Sequence, residues 1–418
     1  MAELVTLKNG MRCFVDPMPG FESVAIGVWA EAGAIDEAPE ESGVAHLLEH
    51  MAFKGTTSRT PRALAEEIES VGGHLNAATS YQRTGYYARI LKNDAELAID
   101  IIADILTNPL FDAEELEKEK EVVVQEIGEA WDTPDDAVYE LMQEKVFHGQ
   151  PLGRPILGST ESVRSHDRSR LSAFMSRLYT PESMIIAAAG GVDIEEIARW
   201  AEARFPAGGR KQEKPRRAKP HYVGGSVCDA RDIEQTHLAA AFPGVGARHP
   251  DFFATRVFSE ALGGGMASRL FQSVREDKGL AYSVYSFADC YDDAGVVGAY
   301  AGTDVENAAE AASLIRKEIE ACAEKMTQAE VDRARAMLKS TLLMGLENPA
   351  GRIETAAGQF FTFGEVLSSE ETRRRLDAVT VQDVRRCALR MLEGGAPTFS
   401  LVGPGDFDKI AGALGAMA

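Results

Sequence analysis

Residues 206–222, PAGGRKQEKPRRAKPHY, carry almost no apolar side chains and are dense in Pro, Gly, Lys and Arg. A stretch of that composition has nothing to bury and reads as a linker. It divides the 418-residue chain into 1–205 and 223–418. A single core rarely serves a chain of this length, so two domains of about 200 residues are expected.

The two halves repeat one order of elements. In the first, Asn9-Gly10 makes a hairpin turn between VTL and MRCFV, and SVAIGVWAEAGAI (23–35) is a long strand. A helix covers 42–53, and Thr60 and Pro61 open another whose apolar face is Leu64, Ile68 and Val71 and which Gly72-Gly73 end. HLNAATS and TGYYARIL are strands, followed by helices at 94–107, 112–147 and 167–178, the strand MIIAAAGG and a helix at 194–204. In the second half QTHLAAAFPG is a strand, PDFFATRVFSEALGGG a helix, and AYSVYSFADC and AGVVGAYAG strands. Helices then fill most of 304–392 before the strand PTFSLVG. The recurrence suggests an internal duplication. Runs of strands and helices without strict alternation indicate α+β layers.

Charge narrows the partners. Lys and Arg number 44 against 65 Asp and Glu, a formal net charge of -21. That excess argues against nucleic acid or an anionic membrane as the main partner; it is accounted for by a solvated acidic surface and is also compatible with a basic substrate. The five cysteines lie far apart, without the spacing of a disulfide framework or a thiolate zinc site, and suit a reducing cytosol. No run of 18 apolar residues occurs, and the N-terminus lacks the pattern of a signal or transit peptide. A cytoplasmic address is expected.

His46-Leu47-Leu48-Glu49-His50 places three titratable groups inside an apolar segment. At about 100° per residue the two imidazoles lie roughly 40° apart on one helical face, with Glu49 beside them. Two imidazoles on successive turns can bind one zinc ion, and the neighbouring carboxylate can accept a proton from water. The order His-x-x-Glu-His is the inverted zinc-hydrolase motif. The alternative is a partly exposed helix with incidental histidines. A catalytic zinc needs a third ligand, and the acidic 112–147 segment offers candidates. Glu126 follows Val122-Val123-Val124 and precedes Ile127, on the stretch expected to be buried, where a carboxylate needs a partner. Glu119, seven residues earlier, looks the same way. The corresponding helix of the second half, FFATRVFSEAL, holds no histidine, so one metal ion per chain is expected.

HLLEHMAFKGT followed 76 residues after its second histidine by Glu126, the strand NAATS, and LGGGMASRLFQSVREDKGLAYSVYSF together resemble the pitrilysin family of zinc peptidases. That family includes insulin-degrading enzyme and the mitochondrial processing peptidase. The similarity runs along nearly the whole chain, and the length fits the bacterial, processing-peptidase-like branch. It implies that His46, His50 and Glu126 bind zinc, that Glu49 is the general base, and that Glu119 supports catalysis or orients a ligand. Asn76 matches a position that holds substrate backbone on an edge strand, where peptide adds as a further strand. Arg275 and Tyr282 match a pair that donates hydrogen bonds to substrate carbonyls. The family often has Arg-Glu-x-Thr after Thr-Ser, where this chain has Tyr81-Gln82-Arg83-Thr84, so no carboxylate contact is expected at Gln82.

The resemblance further implies two homologous domains in a clam-shell around a chamber, subunits that pair, and hydrolysis of unfolded peptides. Because this chain holds both the zinc motif and the Arg–Tyr pair, a homodimer active by itself is expected. Two alternatives are a non-catalytic structural subunit, as relatives supply to the respiratory chain, and a zinc hydrolase of non-peptide substrates.

Overall fold

The computed structural model describes residues 2–205 and 217–415. Most of the expected linker, 206–216, lies outside these residues. The first half supplies strands β1 (Glu3–Thr6), β2 (Arg12–Pro17), β3 (Ser23–Ala30), β4 (His74–Thr79), β5 (Thr84–Leu91) and β6 (Met184–Gly190). Its helices are α1 (Val44–Ala52), α2 (Pro61–Ser70), α3 (Ala95–Thr107), α4 (Ala113–Asp132), α5 (Pro134–Val146), α6 (Thr160–Ser165), α7 (Arg168–Leu178) and α8 (Ile194–Arg204). The second half supplies β7 (Ser226–Asp229), β8 (Thr236–Pro243), β9 (Ala281–Cys290), β10 (Gly295–Thr303) and β11 (Thr398–Val402). Its helices are α9 (Phe252–Gly263), α10 (Ala308–Lys325), α11 (Gln328–Gly345), α12 (Pro349–Phe363), α13 (Ser369–Asp377), α14 (Val381–Glu393) and α15 (Phe407–Leu414).

Apart from β1, which pairs antiparallel on the outside of β2, the two sheets share one topology. The first runs β1-β2-β6-β3-β5-β4 and the second β7-β11-β8-β10-β9. In each, one parallel pair, β2 with β6 or β7 with β11, is followed only by antiparallel pairs. This is the expected duplication, carried into strand order and direction, and it makes α9 the counterpart of α1. No helix among the described residues is long and apolar enough to cross a membrane.

Two expected elements differ. The single helix over 112–147 is two, α4 and α5, broken at Thr133-Pro134. Proline has no amide proton to continue the ladder, and it takes the first position of α5 instead. The strand over 23–35 stops at Ala30, and 3₁₀ turns at Ala34–Asp36 and Pro39–Glu41 follow.

The compact units do not coincide with the halves 1–205 and 223–418. One comprises Met1–Ile127, Arg154–Arg217 and Met344–Leu367; the other comprises Gly128–Gly153, Ala218–Leu343 and Ser368–Ala418. The physical reason lies in the sheets, each of which has a second apolar face. In the first unit, Phe14, Ala25, Trp29, Ile185 and Ala187 are covered by Ile353, Ala356 and Ala357 of α12. Asp16 pairs with Arg352 of the same helix, Oδ2 to Nη1 2.5 Å. In the second unit, α5 packs on β8 and β11, and the Ser400 hydroxyl donates to Val138 O at 2.8 Å. Each sheet is thus completed by a helix from the other half of the sequence. On its opposite face the first sheet packs Val24, Ile26 and Val28 against Leu47, Leu48 and Met51 of α1 and Ile99, Ile102 and Ile105 of α3.

Candidate metal centre

The α1 helix starts at Gly43, whose φ of +85° is a left-handed conformation, and a β-carbon there would lie 2.7 Å from Leu157 O. Lacking a side chain at this cap, the helix uses Glu37, which accepts from Gly43 N (3.0 Å) and Ala45 N (2.9 Å). Burial pushes the Glu37 carboxyl up to about 8, against the pull of those amides and of Arg154. The helix buries Val44, Ala45, Leu47, Leu48, Met51 and Ala52. Only one stripe remains for His46, Glu49 and His50, all partly accessible.

Glu119 and Glu126 lie two turns apart on α4, on the face turned to α1. His50 Nε2 is 3.4 Å and His46 Nε2 is 3.7 Å from Glu126 Oε2. These separations are too long for good hydrogen bonds. They match the roughly 3.3 Å edge between ligands held at about 2.0–2.1 Å around a tetrahedral ion. Among the described residues, His46, His50 and Glu126 form the one group of this kind, with ligand atoms all within 4.8 Å of one another. His46 Nδ1 is buried without a hydrogen-bond partner. Burial, with repulsion from His50, holds the His46 imidazolium down to about 4, so the ring is neutral at pH 7, the form a metal requires. These donors fit a zinc ion: two imidazole nitrogens and a carboxylate oxygen converge at separations that suit metal ligation better than hydrogen bonding.

The structure departs from the expected burial of Glu126. Glu126 has 37% of its side chain exposed and Glu119 only 8%. The helical turn sends Val123 and Ile127 into the core and carries Glu126 to the rim. Glu119 is held on both oxygens, Oε2 3.0 Å from His50 Nδ1 and Oε1 2.7 Å from Lys54 Nζ.

Glu49 accepts a 2.5 Å hydrogen bond on Oε2 from Thr79 Oγ1, at the end of β4. Burial raises the pKa of its carboxyl, while the Thr79 bonds and His50 oppose this. Asn76 is exposed on β4, the outer strand of its sheet, and its Oδ1 accepts from Ala77 N at 2.9 Å. Gln82 is buried in the β4–β5 turn, where its carbonyl accepts from Arg217 Nη2 at 2.7 Å.

Arg275 and Tyr282 belong to the second compact unit. The Arg275 guanidinium stacks between two rings, 4.6 Å from the centroid of Tyr282 and 4.7 Å from that of Phe271. Tyr282 is 77% exposed and is the second residue of β9, an edge strand of the second sheet. The pair is therefore a preformed, accessible donor cluster. Thr79 and Lys54 were not singled out in sequence, although both fall inside stretches that were, NAATS and HLLEHMAFKGT.

Comparison with known proteins agrees with this architecture. A family model described as Insulinase (Peptidase family M16) matches residues 17–160, and one described as Peptidase M16 inactive domain matches residues 165–338. An uncharacterized zinc protease of Rickettsia bellii is 39% identical over 399 residues, covering 95% of this chain and 96% of that protein. The crystal structure of a protease from Helicobacter pylori has the same fold, with a TM-score of 0.90 at 21% identity over 97% of this chain and 99% of that one. A chain of Complex III2 from Candida albicans shares it too, with a TM-score of 0.86 at 21% identity over 99% and 100%. With its duplicated sheets, one histidine-bearing helix and a close relative spanning almost its whole length, this chain belongs to the insulinase family, peptidase family M16.

Proposed function

We propose that the protein is a zinc metalloendopeptidase acting on unfolded peptides, with one zinc ion per chain. The observation that carries this reading is the convergence of His46, His50 and Glu126 with Glu49 on the same helical stripe. A zinc ion held by those three side chains would supply a Lewis acid for the scissile carbonyl and acidify a water molecule. Glu49 takes the proton from the attacking water and delivers it to the leaving amine, a task suited to a carboxyl whose pKa is raised by burial. Thr79 occupies one Glu49 oxygen and so aims the other. Glu119 orients His50.

Substrate is proposed to add along the free edge of β4, with Asn76 holding its backbone. Main-chain pairing of this kind binds extended chains with little regard to side chains. The guanidinium of Arg275 and phenol of Tyr282 are proposed donors to substrate carbonyls. The charge of -21 favours basic peptides. Five free cysteines, three of them buried, support a reducing, cytoplasmic setting.

Metal analysis beside a quenched-peptide assay tests the reading. We expect about one zinc per chain and hydrolysis that a chelator stops and added zinc restores. Stoichiometric metal without peptide cleavage would favour a non-peptide hydrolase. Absence of both would favour the structural-subunit alternative, whose fold the Candida chain shares. We also propose a self-sufficient homodimer. Light scattering should then give about twice the chain mass of 45.2 kDa, and the purified chain should be active. A monomer inert until an inactive paralogue is added would refute this.

A further inference from the structure

Lys54 lies two residues beyond the end of α1, where its amide donates to Met51 O at 3.2 Å. Its ammonium, on a side chain 29% exposed, reaches Glu119 Oε1 at 2.7 Å. A carboxylate as buried as Glu119 needs a compensating charge. His50, neutral when it binds a metal, is not a source of one. Lys54 is. With Oε1 engaged by Lys54, Oε2 points at His50 Nδ1. Acceptance there places the ring proton on Nδ1 and leaves the lone pair on Nε2, the atom that faces Glu126.

The same ion pair joins the two elements that carry the ligands. Lys54 follows the α1 turn bearing His50, and Glu119 stands two turns before Glu126 on α4. The backbone repeats the link, since Leu110 N donates to Gly55 O at 3.1 Å and Thr57 N to Asn108 O at 3.1 Å. The segment after Lys54 is thereby tied to the one before α4.

We propose that Lys54 is a positioning residue of the metal site, acting through Glu119 to fix the His50 tautomer and the spacing between the α1 and α4 ligands. The proposal rests on the reading of His46, His50 and Glu126 as zinc ligands. Its test is zinc affinity, measured by competition with a chromophoric chelator, for the wild type, K54M, K54R, E119Q and the double variant K54M/E119Q. Melting of each metal-free protein is recorded alongside. Methionine keeps most of the lysine stem and removes the charge. K54M is expected to weaken zinc binding by about 10–100-fold, the range typical for losing an outer-shell partner, with K54R recovering most of it. In the E119Q background K54M should add nothing, because its route of action is gone. Unchanged zinc affinity in K54M overturns the proposal, as does a K54M effect of full size in the E119Q background. A role confined to stability would lower metal-free melting and spare zinc affinity, and that outcome also overturns it. A wild type that binds no zinc defeats the underlying site reading instead, and is seen before any variant is compared.

Discussion

Glu49→Gln is expected to retain zinc and to lower kcat for peptide hydrolysis by about 10²–10⁴-fold, the usual contribution of a general base. Glutamine keeps the shape and can still accept from Thr79 Oγ1, so the helix and its histidines should not move. It has no basic oxygen with which to take a proton from water. The loss should therefore fall on kcat, with KM nearly unchanged, since Glu49 is not among the residues proposed to bind substrate. Thr79→Val gives the graded comparison. It removes the 2.5 Å bond that aims the carboxylate but leaves the base, so a smaller fall of about tenfold is expected. E49Q activity equal to that of wild type would remove Glu49 from the mechanism. A Thr79→Val loss as deep as that of E49Q would show that the hydroxyl does more than orient.

The second large effect concerns metal and stability. A ligand that binds only the folded protein stabilises it by RT ln(1 + [L]/Kd), about 4 kcal/mol at a thousandfold excess over Kd. For a unit of this size that is roughly 10 °C in melting temperature. Wild type in zinc should melt higher than wild type in chelator by about this margin. His46→Ala should melt at one temperature in both. The same residue sets a pH dependence. Burial holds its folded pKa at about 4, below the ordinary 6.5, so the unfolded chain binds more protons between those values. Stability of the metal-free wild type should thus fall as pH drops from about 6.5 to about 4 and should rise with pH across that window. His46→Ala should lose this component. Persistence of a zinc-dependent melting shift in His46→Ala would exclude His46 as a ligand.

Much of the site is legible because it is local. His46, Glu49 and His50 share one helical stripe by spacing alone, and the helix exists because the remaining positions are apolar. Glu126 could be picked from its apolar neighbours, yet the reason offered, burial, belongs to Glu119. A sequence window shows that a carboxylate sits among valines but not which side of the helix meets the core. Thr79 and Lys54 were passed over for a related cause. A threonine at a strand end and a lysine after a helix are ordinary residues until Glu49 and Glu119, 30 and 65 positions away, are brought to them.

By itself, then, the sequence determined the duplication, the order of most elements and the residue types gathered in the candidate site, all properties of periodicity and of residue type at short range. Only the tertiary structure decided which helix covers which sheet, how deep each glutamate lies, and which partners hold Glu49 and His50. Those outcomes depend on burying the second apolar face of each sheet and on compensating charges removed from water. Both are satisfied by residues far apart along the chain, as α12 on the first sheet, α5 on the second, and Lys54 against Glu119 show.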